Sequence, residues 1–551
     1  MANREKVYAL FSVSDKRGIG RLARAVTQKG MSIISTGGTA KILKEEGIPF
    51  VPIETITGSP ESFGGRMKTI SFQIESGILY DRSNPHHVED ATLLQIPKID
   101  LVVCNFYPFQ QTIAKQEVTL EEAIENIDIG GPTMVRAAAK NFRNVAVVVD
   151  PDDYPSVIDL MDYEGQLPYD FRFYLAAKAF TLTADYDSAI DPYMSLMVGK
   201  RVLRMNYRDG EELRYGENPH QKGWIFKDPL SVDPLALWKF QQLQGKEMSF
   251  NNFLDMSAAI DALVEITVGG HEETPACVIL KHQNPSGAAI SEEAPPFKIT
   301  GAAFSRSIKD AYLKAWYDGD SLASYGGIIV VNKEVDKELA QMMIRSPLDK
   351  EDKFFEVLVA PSVTAEALEV FAKYKGRRVL VNLALADQLD FAPGFDFKRV
   401  RGGILVQDID RHVVKEPDLL VVSETKPSPE QIRDILFAWR VAKVSKSNSI
   451  VLVENETLIA SGVGQQDRKR CCELAVSKAG ERAKGTRAAS DAFFPMSDGP
   501  QELIKAGIVI ILHPGGSKKD QETIDLCNKN GVVLVFTSKD YKELMIRCFK
   551  H

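Results

Sequence analysis

The sequence of 551 residues contains only six cysteines and no Cys-x-x-Cys pair, which excludes a disulfide framework and favours free thiols in a reducing compartment. No stretch approaches the ~18 consecutive apolar residues of a membrane-spanning helix. The N-terminus, MANREKVYALFSVSD, lacks the apolar core and the cleavage site of a signal peptide. A formal net charge of −8 gives no global footprint for nucleic acid. We therefore expect a soluble, cytoplasmic protein that binds neither a membrane nor nucleic acid.

Several motifs of well-known active sites are also missing. The sequence has no Gly-x-x-x-x-Gly-Lys-Ser/Thr loop for ATP and no Gly-x-Ser-x-Gly turn for a serine hydrolase. Gly462 and Gly464 lack the third glycine of a dinucleotide-binding loop, so we predict no NAD site. His271-Glu272-Glu273 matches half of a zinc-deaminase signature, but the required Pro-Cys-x-x-Cys is absent. We therefore predict no zinc and interpret His271 as a polar loop residue.

The pattern of apolar runs indicates an α/β fold. In the N-terminal part, strand-like runs at 7–13, 31–35, 101–106 and 145–149 alternate with amphipathic segments. This alternation is typical of a parallel sheet covered on both faces. We predict a closing helix over 171–193 and a linker over 199–218. Further strands are expected at 277–280, 328–331, 355–359, 379–381, 450–453, 509–512 and 532–536, in two α/β subdomains that divide near 370–400.

Two turns rich in glycine and hydroxyl groups follow the first two predicted strands. They are Ser-Val-Ser-Asp-Lys at 12–16 and Ser-Thr-Gly-Gly-Thr-Ala-Lys at 35–41. Open α/β sheets bind ligands beyond the carboxyl ends of their strands, where glycines and helix N-termini favour anions. The two turns together therefore predict a phosphate site. For either turn alone, capping of the following helix by Ser, Thr or Asp is the alternative.

A second polar group in the same domain indicates anion binding with proton transfer. Its parts are the loop Gly64-Gly65-Arg66-Met67-Lys68-Thr69 and the segments 105–109 and 128–133, with Arg136 and Lys140 beyond them. Arg136 and Lys140 are four residues apart, so they share one helix face and suit one anion. Asp128 near lysines would keep a depressed pKa or act as a base in the transition state. A solvated surface position is the alternative for each cation.

Two polar segments in the second half indicate transfer chemistry. The loop at 213–221, Leu-Arg-Tyr-Gly-Glu-Asn-Pro-His-Gln, is dense in hydrogen-bonding groups and broken by Gly and Pro. The apolar strand at 276–280 runs directly into Lys281 and His282, which can face the cleft beyond the sheet. His282 would accept a proton from an attacking amine, and the Lys281 ammonium would stabilise an oxyanion. A purely structural histidine is the alternative.

These motifs, in this order, resemble the bifunctional purine biosynthesis enzymes that join IMP cyclohydrolase to AICAR formyltransferase. The similarity runs from Phe11-Ser12-Val13-Ser14-Asp15-Lys16 to the closing Phe549-Lys550-His551. It implies an α/β protein with a methylglyoxal-synthase-like cyclohydrolase domain at 1–199 and two cytidine-deaminase-like transferase subdomains without zinc at 200–385 and 386–551.

The resemblance also implies the reactions and the assembly. A formyl group passes from 10-formyltetrahydrofolate to the amine of AICAR, and formyl-AICAR then loses water and closes to IMP. Members of the family form homodimers whose transferase sites are built from both subunits. The resemblance allows a monovalent cation as a further ligand.

Individual roles follow from the same resemblance. Ser12, Ser14, Lys16, Ser35, Gly37 and Thr39 match the phosphate cradle, and Lys68, Thr69, Tyr107, Asp128 and Lys140 match the ring-closing site, with Arg66 and Gly130 as further substrate contacts. Arg214, Tyr215 and His220 match the loop that contacts AICAR, and Lys281 and His282 match the pair that transfers the formyl group. Asn448 matches a residue near the formyl group. The folate side is matched by Asp491, Phe493 and Phe494, with Arg468 as a further contact. We expect Asp128 to take the amide proton while Lys68 and Tyr107 stabilise charge on the formyl oxygen.

Three departures from the family pattern are visible. Ile70-Ser71-Phe72 stands where Leu-His-Pro is usual, Ala323-Ser324-Tyr325-Gly326-Gly327 where Ser-Ala-Phe-Gly-Gly is usual, and Asp467 where Ser is usual. The missing His affects the positioning of the first loop, although Lys68 and Thr69 remain.

Two other functions are weighed against this one. In the first, the N-terminal domain only senses phosphate; the Asp128 carboxylate disfavours it, because binding an anion needs cations alone. In the second, the protein is a scaffold without chemistry; the many polar glycine turns at predicted strand ends disfavour it.

Overall fold

The computed structural model describes residues 6–551 except 108, 116, 163–164, 230, 272, 293–306, 347, 349–350, 388, 541 and 543–545. The chain divides into two compact units, Met1–Asn206 and Tyr207–His551. Among the described residues, no helix is long and apolar enough to cross a membrane.

The first unit is a five-stranded sheet with helices between the strands. Its strands are β1 (Val7–Val13), β2 (Ser32–Ser35), β3 (Val51–Pro52), β4 (Lys98–Asn105) and β5 (Ala146–Val148). Its helices are α1 (Ile19–Gln28), α2 (Gly37–Glu45), α3 (Ile53–Thr57), α4 (Phe72–Leu79), α5 (Pro85–Leu93), α6 (Phe109–Ile113), α7 (Leu120–Glu125), α8 (Gly130–Lys140), α9 (Tyr154–Leu160) and α10 (Tyr169–Met197).

All five strands of this sheet run parallel, in the order β3-β2-β1-β4-β5. Both faces of the sheet are covered, so successive residues of β1 pack into different apolar clusters. Leu10 belongs to one cluster, and Ala9 and Phe11 belong to the other. The predicted parallel α/β domain is therefore confirmed. The central position of β1 brings the carboxyl ends of β1, β2 and β4 to one edge of the sheet.

The second unit is larger and its strands are mostly short. Its strands are β6 (Arg208–Leu213), β7 (Gly223–Lys227), β8 (Gln241–Gln244), β9 (Ala276–Lys281), β10 (Asn284–Ile290), β11 (Gly327–Val331), β12 (Phe355–Ala360), β13 (Arg378–Val381), β14 (Phe395–Val400), β15 (Gly403–Asp408), β16 (Leu420–Val421), β17 (Ile450–Glu454), β18 (Thr457–Gly462), β19 (Arg487–Ser490), β20 (Ile510–His513) and β21 (Val533–Phe536). Its helices are α11 (Phe250–Thr267), α12 (Ile308–Leu313), α13 (Ser321–Ser324), α14 (Lys337–Ile344), α15 (Ala365–Ala372), α16 (Pro429–Val444), α17 (Arg468–Ala479), α18 (Asp498–Lys505) and α19 (Asp520–Asn530).

Twelve of these strands form one sheet that contains the same six-strand pattern twice. In the first repeat (β8 to β13), β9 pairs antiparallel with β10 on one side and with β11 on the other. Beyond β11, β12 and β13 each pair parallel with the preceding strand, and β8 pairs antiparallel with β13. In the second repeat (β16 to β21), β17 has the same relation to β18, β19, β20, β21 and β16. The repeats join through the antiparallel pair β10–β18. Helices α11 and α16 precede β9 and β17 in the same way.

Several strands of the second unit were not predicted, and β6 and β10 show why. The predicted linker is wrong in its second half, where the highly charged strand β6 pairs with β7. The prediction also missed β10, whose Asn-Pro-Ser-Gly-Ala-Ala-Ile sequence holds residues that strands usually avoid. A Cβ at Gly287 would lie 2.0 Å from the Ala315 carbonyl oxygen, so close packing of the backbone explains the glycine.

Candidate active sites

In the first unit, hydroxyl groups meet where β1, β2 and α2 come together. Thr39 Oγ1 accepts a hydrogen bond from Val13 N–H at 3.0 Å. Ser35 Oγ donates to the Phe11 carbonyl at 2.9 Å, and both hydroxyl-bearing side chains are buried. These bonds fix the end of β1 against the end of β2 and the first turn of α2.

A lysine lies over the start of the same helix. The Lys16 ammonium donates to the Val13 and Ser14 carbonyls, and its Nζ lies 3.5 Å from the Cβ position of Gly38. Gly37, the first residue of α2, has a φ of +55°, a conformation that favours glycine. A cation and the N-terminus of a nine-residue helix thus converge where the predicted phosphate cradle lies.

Helix capping does not account for this arrangement. The N-cap of α1 is Gly18, which has no side chain, and the N-cap of α2 is Thr36. Within the described residues, the Thr36 side chain accepts no hydrogen bond from the first turn of α2. The leading N–H groups of α2 are therefore available to an anion.

Asn105 was not assigned a role from the sequence, although it ends an apolar strand. Its Oδ1 accepts hydrogen bonds from Ser14 N–H at 2.7 Å and Asp15 N–H at 2.8 Å. Tyr107 follows two residues later and is 55% exposed, whereas Pro108 lies outside the described residues. Asn105 thus connects the cradle with the predicted ring-closing residues. The signal available in the sequence was a polar side chain at a strand end.

Asp128 lies two residues before α8 and is half-buried. Burial raises its pKa, and the hydrogen bond that Asp128 Oδ1 accepts from Gly131 N–H at 2.9 Å partly offsets this effect. A Cβ at Gly130 would lie 2.6 Å from Thr69 Oγ1, so the loop that carries Lys68 and Thr69 packs against the first turn of α8. The structure therefore brings Thr69, Gly130 and Asp128 together.

The two predicted cations of this loop pair with carboxylates. Lys68 Nζ lies 3.0 Å from Glu61 Oε1, and Arg66 forms an ion pair with Glu125. Lys140 is the last residue of α8, about 15 Å from the start of that helix at 1.5 Å per residue, and it is exposed. The structure does not bring Lys140 together with Asp128 within this unit.

In the second unit, Lys281 and His282 lie at a tight turn between β9 and β10. Lys281 pairs with Asn284, which leaves His282 and Gln283 as a two-residue loop, and His282 is exposed. Lys281 Nζ donates to the Tyr325 carbonyl at 2.8 Å. Neither predicted residue is packed into the interior, in agreement with a position at the end of a buried strand.

The second unit also contains a cavity of about 290 Å³. It is lined by Arg214, Tyr215, Lys246, Glu247, Ser249, Asn252, Phe354, Glu356, Gly376 and Arg378. The Cβ position of Gly326 lies 3.7 Å from Phe354 and 3.9 Å from Lys281 Nζ, so the lysine lies close to the cavity wall. Three cations (Arg214, Lys246 and Arg378) and two carboxylates (Glu247 and Glu356) line the cavity. Burial together with the neighbouring Arg214 lowers the pKa of Arg378, an effect that Glu356 opposes. The excess of cations in the lining favours an anionic ligand.

Two of these cations were not assigned from the sequence. Lys246 follows β8 and Arg378 begins β13, and no motif marks either of them. Arg214, which the sequence did indicate, lies above the Tyr215 ring and donates to its hydroxyl at 2.9 Å. His220 of the same loop is exposed and does not line the cavity.

Asn448, Arg468 and Asp491 form one hydrogen-bonded network. Arg468 Nη2 donates to Asn448 Oδ1 at 2.6 Å, and Arg468 Nη1 forms an ion pair with Asp491 at 2.5 Å. Ser447 Oγ donates to the other carboxylate oxygen of Asp491, which is fully buried. Asn284, next to the His282 turn, accepts a hydrogen bond from Lys446 N–H at 2.9 Å. The network therefore lies on the strand-end loop that contacts the Lys281–His282 turn.

The two predicted aromatic contacts differ in their surroundings. Phe493 is partly exposed beneath the Arg547 guanidinium, at 4.9 Å from its ring centroid. Phe494 is 1% exposed and packs edge-on against His513 in an apolar cluster. Phe494 thus serves the core, whereas Phe493 is accessible.

Among the described residues, those of the zinc-deaminase half-signature are not arranged as a set of metal ligands. His271 lies 3.0 Å from Glu292 and 3.5 Å from Glu456, and Glu272 is outside the described residues. Cys277 lies inside β9, where burial raises its pKa well above that of a metal-binding thiol. In the part of the chain that the structure describes, no group of three His, Cys, Asp or Glu side chains is placed to hold a metal ion.

Polar and charged side chains at the strand ends of both α/β units are typical of an enzyme. Family models match both parts: the MGS-like domain covers residues 18–133, and the AICARFT/IMPCHase bienzyme covers residues 138–478.

Curated relatives match almost the whole chain. The bifunctional purine biosynthesis protein PurH of Acetivibrio thermocellus is 40% identical over 98% of this chain and 99% of its own length. PurH of Thermoanaerobacter sp. is 42% identical over the same shares. A crystal structure of ForH is 34% identical over 34% of this chain and 97% of that chain, with a TM-score of 0.30.

The chain therefore belongs to the AICARFT/IMPCHase bienzyme family. This membership confirms the predicted family and the predicted class of activity, a bifunctional enzyme of purine biosynthesis. A formyltransferase family also implies a folate co-substrate.

Proposed function

We propose that the two reactions are divided between the two units. Residues 1–199 close formyl-AICAR to IMP, and residues 200–385 and 386–551 transfer the formyl group to AICAR. One observation carries this division: Lys281 of the second unit lies near the wall of a cavity with three cations, while the first unit contains a different anion cradle and the half-buried Asp128.

In the transferase site, the amine of AICAR attacks the formyl carbon of 10-formyltetrahydrofolate. The neutral His282 imidazole takes the proton that the amine loses as the new C–N bond forms. The Lys281 ammonium meets the oxyanion of the tetrahedral intermediate, an interaction realised mainly in the transition state. The bond to folate N10 then breaks, and this nitrogen takes a proton to give tetrahydrofolate.

Arg214, Lys246 and Arg378 offer the charge needed to hold the phosphate of AICAR in the neighbouring cavity. Lys281 is held at the cavity wall by the Tyr325 carbonyl, so its ammonium is fixed before substrate arrives. The hydrogen-bonded network of Asn448, Arg468 and Asp491 lies on the side of the turn where Asn284 accepts a hydrogen bond from Lys446 N–H. We assign this side to the folate.

Ring closure needs mostly orientation, because the attacking amide nitrogen and the formyl carbon belong to one molecule. Asp128 removes one amide proton as the new C–N bond forms, and Lys68 with Tyr107 stabilises charge on the formyl oxygen. This oxygen leaves as water when the ring C=N bond forms, with one proton returned from Asp128 and one from the formamide N–H. Lys16 and the N-terminus of α2 hold the phosphate. The raised pKa of Asp128 strengthens it as a base compared with an exposed carboxylate.

We assign further properties on the same basis. A homodimer and the use of 10-formyltetrahydrofolate follow from the family. The six cysteines, all buried and free, suit a reducing compartment and hence a cytoplasmic enzyme. A monovalent cation would be an additional ligand.

Formation of IMP from AICAR plus 10-formyltetrahydrofolate by the purified chain tests the proposal. The wild-type chain should produce IMP and consume one folate per AICAR. Asp128→Asn should consume the folate at the wild-type rate but accumulate formyl-AICAR, with cyclisation slowed about 10²–10⁴-fold. Cyclisation at the wild-type rate by this variant would contradict the assignment of Asp128.

The pH dependence of cyclisation gives a second readout. Because burial raises the pKa of Asp128, the carboxylate should become protonated at a higher pH than an exposed aspartate. The cyclisation rate of the wild-type chain should therefore fall on acidification while exposed aspartates are still ionised. A rate that stays constant down to the ordinary aspartate range contradicts this role.

A further inference from the structure

The turn that carries His282 has an unusual backbone. His282 has a φ of +52° and Gln283 a φ of +61°, both in the left-handed region. A two-residue antiparallel hairpin with two positive φ values is a type I′ turn, which favours Asn, Asp or Gly. Non-glycine residues in this region are strained, so His282 and Gln283 need support from neighbouring groups.

Asp255 of α11 supplies that support. Its Oδ2 accepts a hydrogen bond from His282 N–H at 3.2 Å, and its Oδ1 accepts one from Gln283 N–H at 3.0 Å. One carboxylate therefore holds both residues of the turn. Burial raises the pKa of Asp255, and the two backbone hydrogen bonds partly offset this effect by favouring the charged form.

The second repeat contains the same arrangement. Asp434 is the sixth residue of α16, as Asp255 is the sixth residue of α11. Its two carboxylate oxygens accept hydrogen bonds from Asn455 N–H at 3.2 Å and Glu456 N–H at 2.7 Å. Asn455 and Glu456 have φ values of +53° and +50°. The fold thus builds this clamped turn twice, once with His282 and once without a histidine.

Asp255 also connects the turn with the cavity. Asn252, three residues earlier and therefore on the same helix face, lines the cavity and donates from Nδ2 to Glu356 at 2.7 Å. Helix α11 thus carries both a cavity-lining amide and the carboxylate that holds His282.

We propose that Asp255 is a positioning residue for formyl transfer, because its carboxylate fixes the backbone from which the His282 imidazole extends. This role rests on the proposed function of His282 as the base. Asp255 itself does not touch the reacting atoms. It acts through His282, whereas Asp434 supports only a turn without chemistry.

The test compares Asp255→Ala, His282→Ala, their double variant and the matched control Asp434→Ala in the full-length chain. Asp255→Ala should lower kcat for formyl transfer about 10–100-fold, because a small misplacement of a catalytic group costs that much. The KM for AICAR and the rate of cyclisation should stay within about twofold. Asp434→Ala should lower the thermal midpoint yet leave kcat within about twofold.

The double variant separates positioning from a general structural role. If Asp255 acts through His282, adding Asp255→Ala to His282→Ala should change kcat by less than about twofold. Equal multiplicative losses in both backgrounds would overturn the proposal, as would wild-type kcat in Asp255→Ala. A kcat loss in Asp434→Ala equal to that in Asp255→Ala would overturn it as well.

Two further results keep the outcomes distinct. If Asp255→Ala does not fold, Asp255→Asn retains one acceptor oxygen and should show an intermediate kcat; wild-type kcat in that variant would overturn the proposal. If His282→Ala transfers formyl groups at the wild-type rate, the proposed function of His282 is wrong. A different result would reject the positioning role alone: the wild type transfers formyl groups, His282→Ala does not, and Asp255→Ala keeps the wild-type kcat.

Discussion

The two repeats of the second unit have the same strands, the same helix before the hairpin and the same clamped turn, but different side chains at that turn. In the first repeat the turn follows Lys281 and contains His282 and Gln283. In the second it follows Glu454 and contains Asn455 and Glu456. The hairpin geometry is therefore a property of the fold, and the chemistry depends on which residues occupy it.

The surroundings of the two turns differ in the same sense. Lys281 lies near Phe354 in the wall of a cavity that three cations and two carboxylates line, and His282 is exposed. Glu456 is buried, and Asp434 beneath its turn forms an ion pair with Arg487 at 3.0 Å. One turn is thus open to a ligand, while the other is closed by internal charge pairs and contributes to stability.

Replacing the histidine of the first turn should cause the largest difference in kcat between matched variants of the two repeats. His282→Ala should lower kcat for formyl transfer about 10²–10⁴-fold, because the amine then loses its general base. The corresponding change in the other repeat, Asn455→Ala, should leave kcat within about twofold. Steady-state assays with AICAR and 10-formyltetrahydrofolate measure both. Equal losses in the two variants would show that the repeats do not differ in function.

The residues before the two turns should differ almost as strongly. Lys281→Ala removes the ammonium that meets the oxyanion and should lower kcat about 10²–10³-fold. Glu454→Ala, at the matching position, should have no effect on kcat beyond about twofold. The same assay reports both values, and a Lys281→Ala variant with normal kcat would remove Lys281 from the mechanism.

The ion pair beneath the second turn should matter for stability rather than rate. Arg487→Met leaves the buried Asp434 carboxylate without its cation and should lower the free energy of unfolding by about 3 kcal/mol. Lys505→Met, which breaks the exposed pair with Glu502, should leave the free energy of unfolding nearly unchanged. Chemical denaturation measures both values. A similar small change in the two variants contradicts a stabilising role for Arg487.

The smallest expected difference between the two turns is in how the free energy of unfolding depends on pH. Burial, helped by repulsion from Glu292 and Asp434, raises the pKa of Glu456 to about 7 from an ordinary value of 4.5. As pH rises between these values, the unfolded chain releases the proton while the folded chain keeps it, so the free energy of unfolding should fall by about 3 kcal/mol. Glu456→Gln, which introduces the amide found at Gln283, should remove this part of the pH dependence. Unfolding experiments at acidic and neutral pH compare the two slopes, and unchanged slopes contradict the raised pKa.

Much of the fold could be predicted from the sequence because its strands are apolar on both faces. Continuous apolar runs mark β1, β9, β17 and other central strands, whose positions agree with the structure to within a few residues. The small or polar strands β6 and β10 carry no such signal. The duplication was also hidden, because the repeats share backbone geometry rather than turn residues.

The candidate sites were predictable only where residues adjoin in sequence. Lys281-His282 ends an apolar strand, and Ser35 to Thr39 form a glycine turn, so local patterns indicate both. Asp255 and Arg378 lie far from His282 and Arg214 in sequence, and only folding brings them together. Long-range contacts of this kind leave no local pattern.

The most direct test of separate sites is a variant that lacks both transfer residues. The chain with Lys281→Ala and His282→Ala should form no formyl-AICAR from AICAR and 10-formyltetrahydrofolate, yet convert supplied formyl-AICAR to IMP at the wild-type rate. Loss of cyclisation together with formylation, or formylation that persists, would contradict the division of chemistry between the two units.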